Sequence, residues 1–243
     1  MTRKKGSQRA MLNLIESETF LTSINNIIKP NAEISMSDNW APENSHNCKE
    51  AELKGFLIDN FFQELGDDIH DWWLAVKRFK ASTPNWDLVS TCTVDGKKGI
   101  LLIEAKAHKN ELKRESYKKR LDPDATDDSK RNDRRIGEAI QEANTGIRNS
   151  DFDVSISKDR CYQLSNRVAH AWWLANQGIP VVLLYLGFLD CQDMNDGKCK
   201  LLNSSKDWED CFLNHAKQVG VDTIMDKWVD CGNSRFKLIC RSI

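Results

Sequence analysis

Asp87, Glu104 and Lys106 are the residues of this chain whose types and spacing can do chemistry. They sit on two consecutive strand-like stretches, Trp86 to Val94 and Ile100 to Ala107, joined through Asp95-Gly96. Asp-Gly favours a two-residue hairpin turn. In that register Val94 faces Lys97, paired residue numbers sum to 191, and Asp87 stands directly opposite Glu104. Opposed residues share a face, with Cβ atoms about 4.5–5.5 Å apart. Strand alternation puts Lys106 on the same face. A four-residue loop would pair Asp87 with Lys106 instead and still keep all three together. Two bare carboxylates so close repel each other, yet they suit a shared divalent cation such as Mg²⁺, which binds through a few carboxylates, water and a substrate phosphate. Such a cation stabilises charge on the phosphate and acidifies a bound water. A neighbouring lysine can orient that water or stabilise the charge developing on the phosphoryl oxygens. The chemistry such a trio supports is metal-assisted hydrolysis of a phosphodiester. The plainer use of the same residues is a salt-bridged cross-strand pair at a sheet edge.

The elements that must position this trio can be read from apolar periodicity. Residues 8–28 carry a helical pattern closed by Lys29-Pro30-Asn31, and 35–47 reads as a polar loop. Leu53, Phe56, Leu57 and Phe61 share a helical face within Lys49 to Glu64, and Trp72 to Phe79 is strand-like. The hairpin comes next. A charged section over 108–133 follows it, then helical patterns at about 133–148 and 159–177. Val181 to Leu189 reads as a buried strand, with a helix near 206–219 and a last strand near Phe236 to Arg241. Helices mixed with strands in this order predict an α/β fold. In Ile100 to Ile103 both faces are apolar, so Glu104, Lys106 and His108 emerge together from a buried strand, where unpartnered charges are unfavourable.

Composition narrows the class. The chain has 243 residues, 40% of them hydrophobic and 29% charged, with a formal net charge of −1. That suits one globular domain and excludes collagen, a disulfide mini-protein and a disordered chain. No apolar run approaches the roughly 18 residues of a membrane span, so no membrane partner is expected. The eight cysteines are scattered, with no CxxC pair, and no signal-peptide core follows the basic start. Reduced thiols and a cytoplasmic location are the expectation. A metal cluster of Cys191, Cys199 and His215 is the one thiol arrangement worth naming.

Thr83-Pro-Asn-Trp-Asp87, followed by Glu104-Ala-Lys106, resembles the PD-(D/E)xK signature of the restriction-endonuclease-like superfamily. Aspartate, hairpin and E-x-K triplet match in order, residue type and strand context. The sequence departs from the signature in one respect, since Asn85 and Trp86 separate Pro84 from Asp87. The resemblance implies an αβββαβ core, a mixed sheet flanked by helices, over residues 48–190. Residues 1–47 would be an N-terminal helical extension and loop, and 191–243 a C-terminal helix and strand, within a single domain. It further implies a Mg²⁺-dependent nuclease, with Mn²⁺ as a substitute and DNA before RNA as substrate. Asp87 and Glu104 would be metal ligands and Lys106 catalytic. The resemblance also implies an acid on the first core helix near the metal. Glu50, which falls with Leu53, Leu57 and Phe61, is the first choice and Glu52 the second. A polar residue on the helix after the E-x-K strand also recurs in this superfamily, and Gln163 fits that place. A homodimer is compatible with cutting both strands of a duplex. The alternative is a non-catalytic module that binds nucleic acid or protein on the same fold.

The near-neutral total hides a local asymmetry. Between Lys97 and Arg135 there are 13 Lys or Arg against eight Asp or Glu. Lys113, Arg114, Lys118 to Arg120, Lys130, Arg131, Arg134 and Arg135 follow the catalytic strand. Of these, Lys113, Arg114, Arg134 and Arg135 are taken, with His108 and Arg167, as candidate nucleic-acid contacts. A solvated charged loop would look similar. Gln163, Asn166, Arg167 and His170 form the polar side of the 159–177 helix, opposite Cys161, Leu164, Val168, Trp172 and Ala175. The pairs Trp72-Trp73 and Trp172-Trp173 suit core packing better than base stacking.

Overall fold

The computed structural model describes residues 5–44, 50–77, 81–115, 121–194 and 199–243. The chain opens with two helices, α1 (Gly6–Ile15) and α2 (Phe20–Ile28), and the two-residue strands β1 (Trp40–Ala41) and β2 (Ala51–Glu52). Then come α3 (Leu53–Asn60), α4 (Gln63–Trp73) and the short β3 (Asn85–Trp86). The hairpin is β4 (Leu88–Val94) and β5 (Lys97–Lys106), followed by α5 (Lys109–Glu115), α6 (Asp127–Arg148), α7 (Tyr162–Asn176) and β6 (Val181–Gly187). The chain ends with α8 (Ser205–Ala216), β7 (Trp228–Asp230) and β8 (Arg235–Ser242).

Six strands form one mixed sheet in the order β1-β4-β5-β6-β8-β7, and β2 pairs with β3 apart from it. β4 and β5 are antiparallel with Val94 opposite Lys97 and Leu88 opposite Ile103, the two-residue-turn register. Asp95 and Gly96 both take positive φ, 47° and 76°, as a type I′ turn requires. β5, β6 and β8 run parallel in the centre, and β6 is buried at every residue, as its unbroken apolar run demands.

Both faces of the sheet are covered. Ile100, Leu102, Leu183 and Tyr185 face a core built with α3, α4, α6, α7 and α8. Leu101, Ile103, Ala105, Val182 and Leu184 face Met11, Ile15, Ile24 and Ile28 of α1 and α2. The N-terminal helices therefore form a full layer on the second face. Each such aliphatic side chain stabilises the fold by about 1.5–3 kcal/mol when fully buried.

The observed α/β class, with helices flanking a mixed sheet, agrees with the sequence reading. Three details differ. Trp72 and Trp73 end a helix, α4, rather than begin a strand, because Leu65, Ile69, Trp72 and Trp73 bury one helical face. Trp72 stacks on Trp173 at 5.7 Å and His170 lies 4.4 Å from Trp73. The paired tryptophans, which β-propensity alone would favour in a strand, serve helix packing here. Gly66 makes this possible locally, since a Cβ there would stand 2.4 Å from the Ile58 side chain of α3. The helix expected from Lys49 starts at Leu53, and its N-terminal approach is β2. The 8–28 pattern divides into two helices.

Candidate functional site

At the end of the buried hairpin the sheet turns polar. Asp87 precedes β4, and its Oδ2 accepts a hydrogen bond of 2.8 Å from the backbone N–H of Ala105 on β5. That bond ties the aspartate to the strand carrying Glu104 and Lys106, whose relative exposures are 3% and 4%. Lys106 Nζ donates to Glu104 Oε1 and pairs also with Glu115 Oε1, from the end of α5.

The helix α7 delivers the rest. Its polar side faces the sheet rather than solvent. Gln163 Nε2 donates to Glu104 Oε1, and Arg167 Nε donates to Glu104 Oε2 at 2.7 Å. The same guanidinium donates to the Asn85 carbonyl at 2.7 Å and to Asn166 Oδ1 at 3.0 Å, and lies 4.4 Å from the Trp86 ring centroid. His170, one turn on, is enclosed by Trp72, Trp73 and Trp86. Burial depresses its proton affinity to about 3, so it is neutral.

Electrostatics defines the site. Burial would raise Glu104, but Arg167 and then Lys106 outweigh it and hold Glu104 below the usual carboxylate range. Burial opposes a charged Lys106, but Glu104 and Glu115 overcome it and keep the ammonium protonated. Asp87, only partly accessible, is pushed up to about 8 by burial and by the Glu104 charge. Burial raises Glu115 to about 7, against the pull of Lys106. Three carboxyl groups thus face two permanent cations. The cluster has one negative charge in excess, and near neutral pH it is met by a proton on Asp87 or Glu115.

A polar recess of about 480 Å³ shares Gln163 and Arg167 with this cluster and is lined also by Glu50, Thr83 and Asn85. Glu50 is exposed and stands just before β2 rather than on a helix, yet its charge reaches Asp87 and adds to the upward pull there. Glu52, likewise exposed, is the last residue of β2. Asp87 and Glu104 are the candidate carboxylates for a divalent cation, and Glu50 lines the recess that shares Gln163 and Arg167 with them. Among the described residues no three of His, Cys, Asp and Glu converge as a ligand group. A cation here would rest on two carboxylates and water, which is a mode Mg²⁺ accepts. Cys191 and Cys199 do not join His215, which lies instead between Cys161 and Glu115.

The candidate nucleic-acid contacts fall into separate places. Arg167 is 5% exposed and engaged with Glu104. His108 is 3% exposed and pairs with Glu111 at 3.4 Å. Arg135 is half-buried and bound to Glu142 at 2.8 Å and Glu138 at 3.5 Å. Lys113 and Arg134 are exposed. Arg134 borders a groove of about 950 Å³ along α6, where Lys158, Glu138, Glu142, Asp159 and Trp172 also lie. The Arg114 side chain and residues 118–120 lie outside the described residues.

Glu115 was not legible as a site residue, because it stands in a charged stretch that reads as solvated. The available signal was its i, i+3 spacing from Leu112, which is buried on the same short helix. Among the described residues no helix is long and apolar enough to cross a membrane. No family model, no curated protein and no solved structure matches the chain.

Proposed function

We propose that the chain is a divalent-cation-dependent nuclease, acting on DNA before RNA, with Asp87, Glu104 and Lys106 at its centre. The observation that carries this reading is geometric: Asp87, tied through Oδ2 to the Ala105 N–H, adjoins the strand end from which Glu104 and Lys106 emerge on one face. A divalent cation would replace the proton that this carboxylate-rich cluster holds near neutral pH. The finer fold assignment, the restriction-endonuclease-like core, draws support from the β4–β5 hairpin, the helices after it and the parallel β6.

The roles follow from the contacts. Asp87 and Glu104 would hold Mg²⁺ or Mn²⁺, which supplies Lewis acidity toward the phosphate and acidifies a bound water. Lys106 stays protonated and presents its ammonium beside Glu104, where it stabilises charge developing on phosphoryl oxygens. Gln163 and Arg167 orient Glu104, and Ala105 N–H orients Asp87. Glu50 lines the recess beside Gln163 and Arg167. Lys113 and Arg134 are the exposed cations that would meet backbone phosphates.

The test is cleavage of single- and double-stranded DNA and RNA with Mg²⁺ or Mn²⁺, beside Lys106→Ala. Loss of about 10²–10³ in rate is expected, and undiminished activity in the variant would sink the assignment. A second reading has its own observation: Glu104 is enclosed, and both its oxygens already have cationic partners. That is the signature of an internal ion-pair network in a non-catalytic binding module. Mn²⁺ titration separates the two, since a module need not take up the cation, and Asp87→Asn would leave its binding unchanged.

A further inference from the structure

The trio leaves one buried acid unexplained. Glu115 closes α5, and its side chain is 4% exposed. Its Oε1 pairs with Lys106 Nζ, and its Oε2 lies 3.6 Å from Nε2 of His215 on α8. His215 in turn has Nδ1 3.8 Å from Cys161 Sγ, at the start of α7. Burial, and then Lys106, depress His215 to about 4, so the ring behind Glu115 is uncharged. Lys106 therefore stands between two carboxylates, one on its own strand and one on the helix that follows.

The segment that carries Glu115 is anchored on several sides. Ala107 N–H donates to Glu111 Oε1 at 3.0 Å, which closes the turn from β5 into α5. Lys109 N–H donates to the Lys200 carbonyl at 2.8 Å, and the Lys109 ammonium pairs with Asp207 on α8. Ser7 Oγ donates to Glu111 Oε2 at 3.1 Å, and Leu112 is 2% exposed. The anchored segment sets the Glu115 carboxylate against the Lys106 ammonium, to which it is ion-paired. Glu104 cannot do that work alone, because it divides its oxygens among Lys106, Gln163 and Arg167.

Resting on the nuclease reading above, we infer that Glu115 is the positioning residue for Lys106. It supplies the second carboxylate that keeps the ammonium in place beside Glu104 when Glu104 is engaged elsewhere, with His215 supporting it from behind. Glu115 itself touches no reacting atom. Its removal would leave Asp87 and Glu104 in place and release Lys106 to turn away.

The experiment uses the full chain with Glu115→Gln, which keeps shape and removes charge, and Glu115→Asp, which keeps charge and shortens the reach. On a DNA substrate with Mg²⁺, Glu115→Gln is expected to lower kcat about 10–100-fold with KM within about twofold. Glu115→Asp should recover part of the loss. A readout independent of activity is the hydrogen exchange of the Lys106 ammonium, followed by ¹⁵N NMR in the metal-free chain; it should speed up in Glu115→Gln. Wild-type kcat and unchanged ammonium exchange in Glu115→Gln would overturn the inference. If Glu115→Gln does not fold, Glu115→Asp decides: faster ammonium exchange upholds the inference and wild-type exchange overturns it. A wild-type chain that cleaves nothing refutes the nuclease reading instead, and the ammonium exchange then still decides whether Glu115 holds Lys106.

Discussion

Asp87→Asn should stabilise the metal-free protein, and increasingly so as pH rises from about 4 to about 8. The variant is close to isosteric, and an asparagine Oδ1 can still accept the Ala105 N–H bond that Asp87 Oδ2 accepts. What it removes is a carboxyl whose proton affinity rises from an ordinary 3.8 to about 8 on folding, through burial and the Glu104 charge. A raised pKa means the folded state holds the proton that the unfolded chain has released. Stability therefore falls as pH climbs between the two values, by about 1.4 kcal/mol per pH unit at most. The ceiling is about 6 kcal/mol. Asp87 is partly accessible and its charge interacts with those of Glu104 and Lys106, so a gain of about 2 kcal/mol at pH 8 is the expected magnitude. Urea denaturation of both proteins at pH 4.5, 6, 7 and 8 (about four points across the window) measures it. The difference should be near zero at the acid end and largest at the alkaline end. A difference that stays flat across the series, or an asparagine variant less stable throughout, would refute the argument that Asp87 and Glu104 form a charge-stressed pair.

Three further outcomes follow from single contacts. Arg167→Met withdraws the 2.7 Å bonds to Glu104 and the Asn85 carbonyl and the stack on Trp86; it should cost about 3–5 kcal/mol in urea denaturation, and a loss under about 1 kcal/mol would show that the pair is not buried in solution. Gly146→Ala places a Cβ 2.4 Å from the Trp172 indole, so overpacking should lower Tm by about 5 °C; an unchanged melt by circular dichroism would mean that α6 and α7 do not pack this closely. Lys113→Ala and Arg134→Ala should each reduce the slope of log affinity for DNA against log salt by about one, and slopes equal to wild type would remove both from the interface.

Local chemistry was enough to determine the hairpin and the face on which the trio emerges. Asp95-Gly96 favours a two-residue turn, the register the structure has, and period-two alternation places Glu104 and Lys106 on one face in that register or with a four-residue loop. The strongly periodic helices α6, α7 and α8 and the apolar run of β6 were legible for the same reason, since each is specified by residues close in sequence. Trp72 and Trp73 were not, because whether aromatic residues enter a strand or a helix depends on what packs on them, here Trp173 and His170 about a hundred residues later. Two of the partners of Glu104, Gln163 and Arg167, are equally non-local. Arg167 reaches it across 63 residues, so the polar side of α7, which its own sequence assigns equally well to solvent, lines the site. Glu115 belongs to a charged stretch whose composition says exposure, and only the docking of α5 against α8 buries it on Lys106. The sequence by itself determined which groups could do the chemistry and on which strand face they lie. The tertiary structure decided their charge states, because those depend on burial and on counter-charges that the fold brings together from distant segments.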